Sequence, residues 1–472
     1  MDLHTLFMLR FEIILCIILF VMLVMRLLDM DKRPGLFLYI ANTFLLINFA
    51  LSFLPIESGT LFQDFFRTND LVVLEKTLLS LGVLIISLQS GRWLMRHSEI
   101  CIEFYLLMIS SLIGCFLMLS SGHVLMLYIG IEMSTIPLAA LSNFNKAERR
   151  SSEAAIKFIL SSAFSSGIML FGISMLYGAY GNLDFRNLQE VLEPNLLTIV
   201  AFSFMMGGFF FKMSAAPFHF WAADVYEGAP TPVSNYLSVI SKGSIVFVFV
   251  SILVTVFENM RTEWQVIINI IAILSMTIGN LFAMRQTNMK RLLAFSSISQ
   301  VGFILVGMTG NSVMGVDSTL YFMLIYIFSN ISAFGIVGIV SDAIHQESID
   351  SYKGFYKTNP FLAVVLAISF FSLAGVPPTA GFFGKLFLLT SAMGDHMYVL
   401  IAFAGINLVL SLYTYMRVIR RIFVDEPERY SHVKQPPLMA TALVACASLV
   451  LIIGFIAPVF QYIADVGMNV FK

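Results

Sequence analysis

Charged residues are scarce in this sequence of 472 residues: they make up 12% of it, whereas hydrophobic residues make up 58%. A soluble domain of ordinary composition carries about 25% charged residues, so that class of protein is excluded. Spanning a bilayer takes about 20 mostly apolar residues in a helix, and apolar runs of this length recur almost from end to end. The composition therefore predicts an all-α polytopic membrane protein in contact with the lipid bilayer. The formal net charge of -1 does not indicate a nucleic-acid partner, and none is expected.

Cysteine is equally scarce, and the four cysteines are far apart without a C-x-x-C pair or ligand-like spacing. They are Cys16, Cys101, Cys115 and Cys446. We interpret them as packing residues rather than metal ligands. The sequence also lacks a phosphate-binding glycine loop, a dinucleotide fingerprint, and haem, iron–sulfur or zinc spacings. We therefore expect the chain to hold no cofactor or metal and to carry no redox chemistry itself.

Fourteen apolar segments are predicted to be transmembrane helices. They cover residues 7–28, 35–55, 69–89, 101–120, 122–143, 152–178, 195–224, 233–257, 264–284, 290–309, 316–341, 359–395, 398–424 and 438–466. Almost no length remains between them for a soluble domain.

Lysine and arginine are distributed unequally between alternate loops, and basic residues accumulate on the cytoplasmic side of a membrane. The larger set contains Arg26, Lys32, Arg33, Arg92, Arg96, Lys146, Arg149, Arg150, Arg285, Lys290, Arg291, Lys353, Lys357, Arg417, Arg420, Arg421, Arg429 and Lys434. The smaller set contains Arg10, Arg67, Arg186, Arg261 and Lys472. This asymmetry predicts that both termini lie on the non-cytoplasmic side.

Two predicted spans, 195–224 and 359–395, are longer than a bilayer needs and are interrupted by proline. The interruptions are Ala216-Pro217 and Gly375-Val376-Pro377-Pro378. Polar backbone groups freed by a proline at membrane depth must be buried in protein or line a water-filled cavity. Each break lies in the fourth helix of a group of five. Paired broken helices are typical of inverted-repeat transporters, whose sites lie at the breaks.

The two groups of five helices, together with the helices before and after them, give four predicted segments. They are an N-terminal three-helix segment (1–100), two inverted five-helix repeats (101–257 and 264–424) and a C-terminal helix (425–472).

Four charged residues are predicted to lie near the middle of the membrane: Glu132, Lys212, Lys242 and Lys385. Such residues cost about 2.5 to 3.5 kcal/mol on insertion scales, so they are rare and functional by default. We interpret them as a proton relay. Movement of Glu132 relative to Lys212 would load or eject a proton, and protons would pass through water between Lys242 and Lys385. The alternative interpretation is a set of structural ion pairs.

Three further positions allow two interpretations each. Lys157 lies about a turn and a half from its helix end and is either a proton-entry residue or an interfacial anchor. His219 follows the first break and is either a proton shuttle or a hydrogen-bonded residue that fixes the broken backbone. The adjacent Glu75 and Lys76, near the start of the third span, are interpreted as a helix cap or as side chains that reach the interface.

Several motifs lie at these candidate residues. They are Glu153-Ala-Ala-Ile-Lys157, Phe211-Lys212-Met-Ser-Ala-Ala-Pro217-Phe-His219-Phe-Trp221, Tyr226-Glu227-Gly-Ala-Pro230, Ser238-Val-Ile-Ser-Lys242, Met289-Lys290-Arg291 and Leu373-Ala-Gly-Val-Pro377-Pro378-Thr-Ala-Gly381-Phe-Phe-Gly384-Lys385. On these motifs the sequence resembles the subunit N family of respiratory complex I, called subunit 2 in mitochondria. The subunit N family belongs to a wider family of antiporter-like membrane subunits.

The resemblance implies a function, partners and roles for the candidate residues. Glu132 and Lys212 match the family's coupling pair, Lys242 its central relay lysine and Lys385 its terminal lysine. The implied function is proton translocation coupled to quinone reduction, beside the other membrane-arm subunits. NADH, FMN, iron–sulfur clusters and quinone would be bound by other subunits. The length favours a bacterial plasma membrane over an animal mitochondrion.

Two positions depart from the family pattern, and two other functions stay open. Gln300 stands where relatives commonly have a histidine, so water or a hydrogen-bonded amide would have to bridge the relay there. Ala223 replaces a usual proline, and we expect no functional consequence. The alternatives are a subunit of a multisubunit cation/proton antiporter without redox coupling, and a scaffold that transports nothing.

Overall fold

A computed structural model describes residues 3–55, 57–145, 148–310, 312–426, 432–433 and 435–471. Among the basic residues used to predict the topology, Lys146, Arg429, Lys434 and Lys472 lie outside these ranges. The described chain is almost entirely helical, as predicted, because residues in an apolar environment must satisfy their backbone polar groups internally.

The helices and strands follow one another in this order. They are α1 (Leu3–Met8), α2 (Arg10–Leu27), α3 (Pro34–Ala50), β1 (Gly59–Leu61), β2 (Phe66–Thr68), α4 (Asp70–Arg96), α5 (Cys101–Leu119), α6 (Val124–Ser142), α7 (Arg149–Tyr180), α8 (Phe185–Val191), α9 (Leu196–Met213), α10 (Phe220–Gly228), α11 (Thr231–Tyr236), α12 (Lys242–Thr255), α13 (Arg261–Arg285), α14 (Met289–Thr309), α15 (Ser312–Ile344), α16 (Phe355–Thr358), α17 (Pro360–Ala374), α18 (Ala380–Gly394), α19 (Tyr398–Phe423), α20 (Pro437–Phe455) and α21 (Ala457–Phe471). Short 3₁₀ turns cover Met30–Lys32, Leu51–Phe53, Ser98–Ile100, Glu258–Met260 and Ile349–Tyr352.

The chain forms two compact units. The first contains Met1–Lys212, Ile240–Glu263 and Asn469–Lys472. The second contains Met213–Val239 and Trp264–Met468. Lys212 and Lys242 therefore belong to the first unit, and Lys385 belongs to the second.

Twelve helical segments in the described residues are long and apolar enough to cross a membrane. This confirms a polytopic membrane protein, but it does not confirm fourteen spans. Two of the predicted spans fall outside the twelve: α2 is not among them, and the span predicted over 359–395 consists of the shorter helices α17 and α18.

Both predicted interruptions lie between helices. α9 ends at Met213 and α10 begins at Phe220, so Pro217 lies in the connection between them. α17 ends at Ala374 and α18 begins at Ala380, with Pro377 and Pro378 between them. A further irregularity was not predicted: residues Leu237–Ser241 form a π-helical turn immediately before Lys242. Such turns are rare and occur frequently at functional sites.

Two other features differ from the sequence-based expectation. The segment between α3 and α4 contains an antiparallel hairpin, in which Gly59 pairs with Thr68 and Leu61 with Phe66. The helix predicted over 438–466 is two helices, α20 and α21, so the prediction of one continuous helix was wrong. Pro458 lacks the backbone N–H that would continue the helix by bonding to Gly454.

In the first unit, α5 and α6 pack backbone against backbone at two glycines. A Cβ atom on Gly114 would lie 2.4 Å from the backbone nitrogen of Ser134, and one on Gly130 would lie 2.7 Å from that of Met118. Small residues of this kind allow close approach of helices in membranes. The close approach brings the Ser134 turn of α6 into the interior of the unit.

Candidate functional site

Lys212 lies in the last turn of α9 and is surrounded by hydroxyl groups of α6. Its Nζ atom donates a 2.8 Å hydrogen bond to the Ser134 hydroxyl and another hydrogen bond to the Thr135 hydroxyl. The side chain is only 4% exposed. A buried ammonium is stable only if its donors are satisfied, and these two hydroxyls satisfy two of its three.

Glu132 lies on α6 and is partly exposed. Its carboxylate accepts a hydrogen bond from the Ser166 hydroxyl on α7. Lys212 and Glu132 interact electrostatically, but among the described residues they form no direct ion pair. Glu132 and Lys212 therefore interact without direct contact. Hydroxyl groups of α6 hold Lys212, and the Ser166 hydroxyl of α7 holds Glu132.

Lys242 begins α12, directly after the π-helical turn, and is 1% exposed. α12 packs against α4 and α5. Two residues further along α12, the Ser244 hydroxyl donates to the Cys115 sulfur of α5 at 3.3 Å, and the same sulfur interacts with Lys212. The sequence indicated only a packing role for Cys115; the structure adds that it is hydrogen-bonded to the helix that begins at Lys242 and interacts with Lys212.

Lys385 lies in the second unit, in the second turn of α18, and is 2% exposed. Its Nζ atom donates to the backbone carbonyl of Leu373 at 2.6 Å and, more weakly, to that of Ala374 at 3.4 Å. These carbonyls belong to the last turn of α17, whose final oxygen atoms lack intrahelical partners and carry partial negative charge. The second break thus supplies an acceptor site for a buried ammonium.

Gly375 makes this arrangement possible. Its φ of 82° lies in the left-handed region, which residues other than glycine rarely adopt. A Cβ atom there would also approach the Cδ atom of Lys385 to 3.0 Å. Glycine therefore ends α17 and leaves room for the lysine side chain.

Gln300 shares the acceptor of Lys385. Its Nε2 atom donates to the Leu373 carbonyl at 3.0 Å and to the Tyr415 hydroxyl at 3.2 Å. Tyr415 in turn is hydrogen-bonded to Ser296, one turn before Gln300 on α14. An amide therefore stands where the family resemblance led us to expect a titratable imidazole, and it is hydrogen-bonded to the carbonyl that holds Lys385. The predicted alternative of a hydrogen-bonded amide agrees with this geometry.

This arrangement predicts the effect of Gln300→Leu. Leucine has a similar size but cannot donate to Leu373 or Tyr415, so two buried acceptors lose a partner. We expect the protein to accumulate normally in membranes and proton transfer, measured in membrane vesicles, to fall by roughly tenfold, which is less than the loss of a group that itself transfers the proton. Gln300→His, which restores a donor, should retain most of the activity. Equal rates for Gln300→Leu and the wild type would contradict a role for this amide.

The two other candidates from the sequence lie in different surroundings. His219 is buried directly before α10, and its ring stacks on Phe220 with a centroid distance of 4.6 Å. The Lys157 ammonium lies 2.7 Å from the Glu153 carboxylate one turn earlier on α7, and its side chain is 43% exposed. Both interpretations given for each residue are compatible with these surroundings.

Sequence reasoning missed the hydroxyl groups that hold Lys212 and Gln300, and it misjudged one pair. Ser134, Thr135 and Tyr415 carry no signal in a single sequence, because serine and threonine are common in membrane helices. The interpretation of Glu75 and Lys76 as a cap or as interface-reaching side chains was wrong, since both are buried. Their position more than a turn inside an apolar span was the available signal.

Comparisons with known proteins show the family of this chain. A family model described as NADH:quinone oxidoreductase/Mrp antiporter, TM, matches residues 121–411. NADH-quinone oxidoreductase subunit N of Phocaeicola vulgatus is 39% identical over 418 residues, which cover 87% of this chain and 88% of that protein.

Solved structures give the same result at the level of the fold. A chain of respiratory complex I from Thermus thermophilus with bound aureothin is 26% identical with a TM-score of 0.78, and the match covers 94% of this chain and 96% of that one. A chain of the Mrp complex from a Dietzia species is 18% identical with a TM-score of 0.86, covering 100% and 98%, and this likeness concerns the fold alone. The family model spans more than half of the chain, and the subunit N relative spans most of it. The chain therefore belongs to the NADH:quinone oxidoreductase/Mrp antiporter family of membrane subunits and, within it, to the subunit N group.

Proposed function

We propose that this chain is the proton-translocating subunit N of the membrane arm of an NADH:quinone oxidoreductase. The observation that carries the proposal is the burial of three lysines in apolar helices, each beside an irregular helix end and two of them on hydroxyl or carbonyl acceptors. Intramembrane charges of this kind are costly and mark ion pathways.

The proposed mechanism is a relay of protons through Lys212, Lys242 and Lys385. A lysine can gain or lose a proton, whereas the serine, threonine and carbonyl acceptors around it keep the amine in position in both states. If Glu132 moved towards Lys212, the charged form of the lysine would be favoured, and if Glu132 moved away, the neutral form would be favoured. Quinone reduction elsewhere in the complex would cause that change and so move protons outward.

We further propose the partners of the subunit, its membrane topology and its internal repeats. Its partners are the other membrane-arm subunits, and NADH, FMN, iron–sulfur clusters and quinone belong to other subunits. We propose fourteen spans, with α2 as one of the two beyond the twelve and α17 with α18 as the other. The basic residues favour both termini on the non-cytoplasmic side of a bacterial plasma membrane. The five-helix groups 101–257 and 264–424 are proposed as inverted repeats.

Lys212→Ala tests the proposal. The variant removes the titratable amine, and we expect quinone reduction and proton pumping in membrane vesicles to fall together by more than about tenfold, with assembly of the complex unchanged. Lys32→Ala is the matched control, because the Lys32 side chain is 73% exposed and pairs with Asp29, three residues earlier, at 2.7 Å. Activity near wild type in Lys212→Ala would favour a structural role for this lysine.

A cation/proton antiporter subunit without redox coupling is the second candidate, because the Mrp complex chain shares the fold. The two functions differ in their driving force. For the proposed function, proton movement should require NADH and quinone and should not depend on sodium. Proton movement driven by a sodium gradient alone would instead support the antiporter.

A further inference from the structure

Four charged residues that the relay does not use gather at one end of the first unit. Arg10 and Glu12 lie in the first turn of α2, and Glu75 and Lys76 lie in the second turn of α4. All four are buried, with Glu75 2% exposed and Lys76 1% exposed. We call these four residues the N-terminal ionic cluster.

Lys76 is the centre of the cluster. Its ammonium bonds to the Glu12 carboxylate and donates to the Ser120 hydroxyl at 2.6 Å. The rings of Phe11, Phe66 and Phe116 surround the same nitrogen atom at centroid distances of 5.8, 5.1 and 5.8 Å. Aromatic faces stabilise a desolvated cation. One carboxylate, one hydroxyl and three rings therefore contact this nitrogen atom, and each of them favours its charged form against the cost of burial.

The other three members each have buried polar atoms with no hydrogen-bond partner among the described residues. These atoms are Nε and Nη2 of Arg10, Oε2 of Glu12 and Oε1 of Glu75. Arg10 uses its Nη1 atom, which donates to the Pro55 carbonyl at 2.7 Å. Buried polar atoms without a protein partner are normally satisfied by water. The cluster therefore has both the donors and the acceptors needed to hold water molecules, and Oε1 of Glu75 is one of those acceptors.

The hairpin of β1 and β2 covers the cluster. Phe66 of β2 is buried against Lys76, and the backbone N–H of Arg67 donates to the Ser120 carbonyl at 2.7 Å. Glu75 is the sixth residue of α4, so its Cα lies about 8 Å from the start of that helix. The cluster therefore lies within two turns of the first residue of α4, beneath the hairpin.

The formal charges of the cluster favour the ionised form of Glu75, whereas its burial favours the protonated form. Arg10 and Lys76 carry two positive charges and Glu12 carries one negative charge, so the remainder of the cluster has a net charge of +1. A neutral Glu75 avoids the cost of a buried charge, whereas an ionised Glu75 would make the cluster neutral. Among the other elements against α4, α3 has no charged residue, and Glu99 and Glu103 lie at or just before the opposite end of α5. Arg67 of the hairpin donates to the Ser121 carbonyl at 3.3 Å. The charged residue on α12 is Lys242.

We propose that Glu75 is a proton-release group of the first unit. Its carboxyl O–H bond breaks, the electron pair stays on the carboxylate, and the proton passes to water held by the N-terminal ionic cluster. The cluster lies at the end of the bundle where the chain begins, which the proposed topology places outside the cytoplasm. This inference rests on the proposed function as a proton translocator.

Glu75→Gln tests the proposal in the purified complex reconstituted into vesicles. Glutamine has the same shape as a protonated glutamate but cannot release a proton. We expect proton pumping to slow by about a hundredfold, the lower part of the range for loss of a positioned proton-transfer group. Infrared difference spectra between the oxidised and reduced complex should lose one protonated-carboxyl carbonyl band. Glu75→Asp, which keeps a titratable group, should retain the band and a larger part of the pumping rate.

Glu103→Gln is the matched control, because Glu103 is partly exposed and pairs with Arg26 at 2.9 Å outside the cluster. Wild-type pumping in Glu75→Gln would overturn the proposal even if the band is lost, because Glu75 would then respond to the redox state without carrying the pumped proton. Slow pumping with an unchanged band would also overturn it, because the effect would be structural. The Lys212→Ala variant in parallel separates the two proposals: if it pumps normally the relay is wrong, and if it alone fails only the role of Glu75 is wrong.

Discussion

Lys385→Ala is expected to lower proton-coupled quinone reduction by about a hundredfold, the lower part of the range for loss of a group that transfers a proton. The variant leaves the Leu373 and Ala374 carbonyls without their ammonium partner and removes the titratable group of the second unit. Among the described residues no carboxylate pairs with Lys385, so its removal leaves no opposite charge unpaired and the fold should persist. Quinone reduction and proton pumping should be measured in the same vesicles, with assembly checked by gel.

Lys385→Arg makes this test specific for proton transfer. Arginine keeps the positive charge and can still donate to the carbonyls of the α17 end, but it does not deprotonate in proteins. We therefore expect Lys385→Arg to pump as poorly as Lys385→Ala. Recovery of pumping with arginine would mean that the site needs only a fixed positive charge, and the relay through Lys385 would be wrong.

Gly114→Leu is expected to abolish accumulation of the assembled subunit. A Cβ atom at this position would lie 2.4 Å from the Ser134 nitrogen and 2.6 Å from the Met133 carbonyl carbon, both of which are backbone atoms. Overpacking a core costs about 1 to 3 kcal/mol and occasionally more. Here α5 and α6 must separate along their common contact, so we expect a cost at or above the top of that range. The amount of subunit in membranes and of assembled complex gives the measurement.

Gly167→Leu is the control for this substitution. Gly167 lies within α7 and faces outward, and a Cβ atom added to it would have no heavy atom within 4 Å. Leucine is also a better helix former than glycine, so this variant should accumulate normally. Normal assembly of Gly114→Leu would show that α5 and α6 can repack, and that their close contact is not required for the Lys212 surroundings.

The helix breaks could be predicted from sequence because the effect of a proline is mostly local. Pro217, Pro377 and Pro378 each remove a backbone donor, and a helix ends before each group. Pro137 marks the limit of this reasoning, because it lies inside α6 without ending the helix. Prolines are tolerated in membrane helices where neighbouring helices support the backbone, and α5 packs along α6.

The partners of the buried charges could not be predicted, because they depend on contacts between distant parts of the chain. The hydroxyl partner Ser134 is 78 residues from Lys212, and Glu12 is 64 residues from Lys76. A single sequence gives the cost of placing each charge in the membrane, but it does not give the group that offsets that cost. This is why the lysines were recognised and the hydroxyls around Lys212 were not.

The carbonyl of Leu373 has a consequence for how this site can vary during evolution. A backbone acceptor persists whatever side chain occupies its position, so substitutions at residue 373 that preserve the helix should leave the anchor of Lys385 and Gln300 intact. The vulnerable position is instead Gly375. Its left-handed backbone ends the helix, so the Leu373 carbonyl has no partner within the helix and is available to Lys385 and Gln300. Mutational tolerance should therefore be high at the residue that makes the contact and low two residues further on.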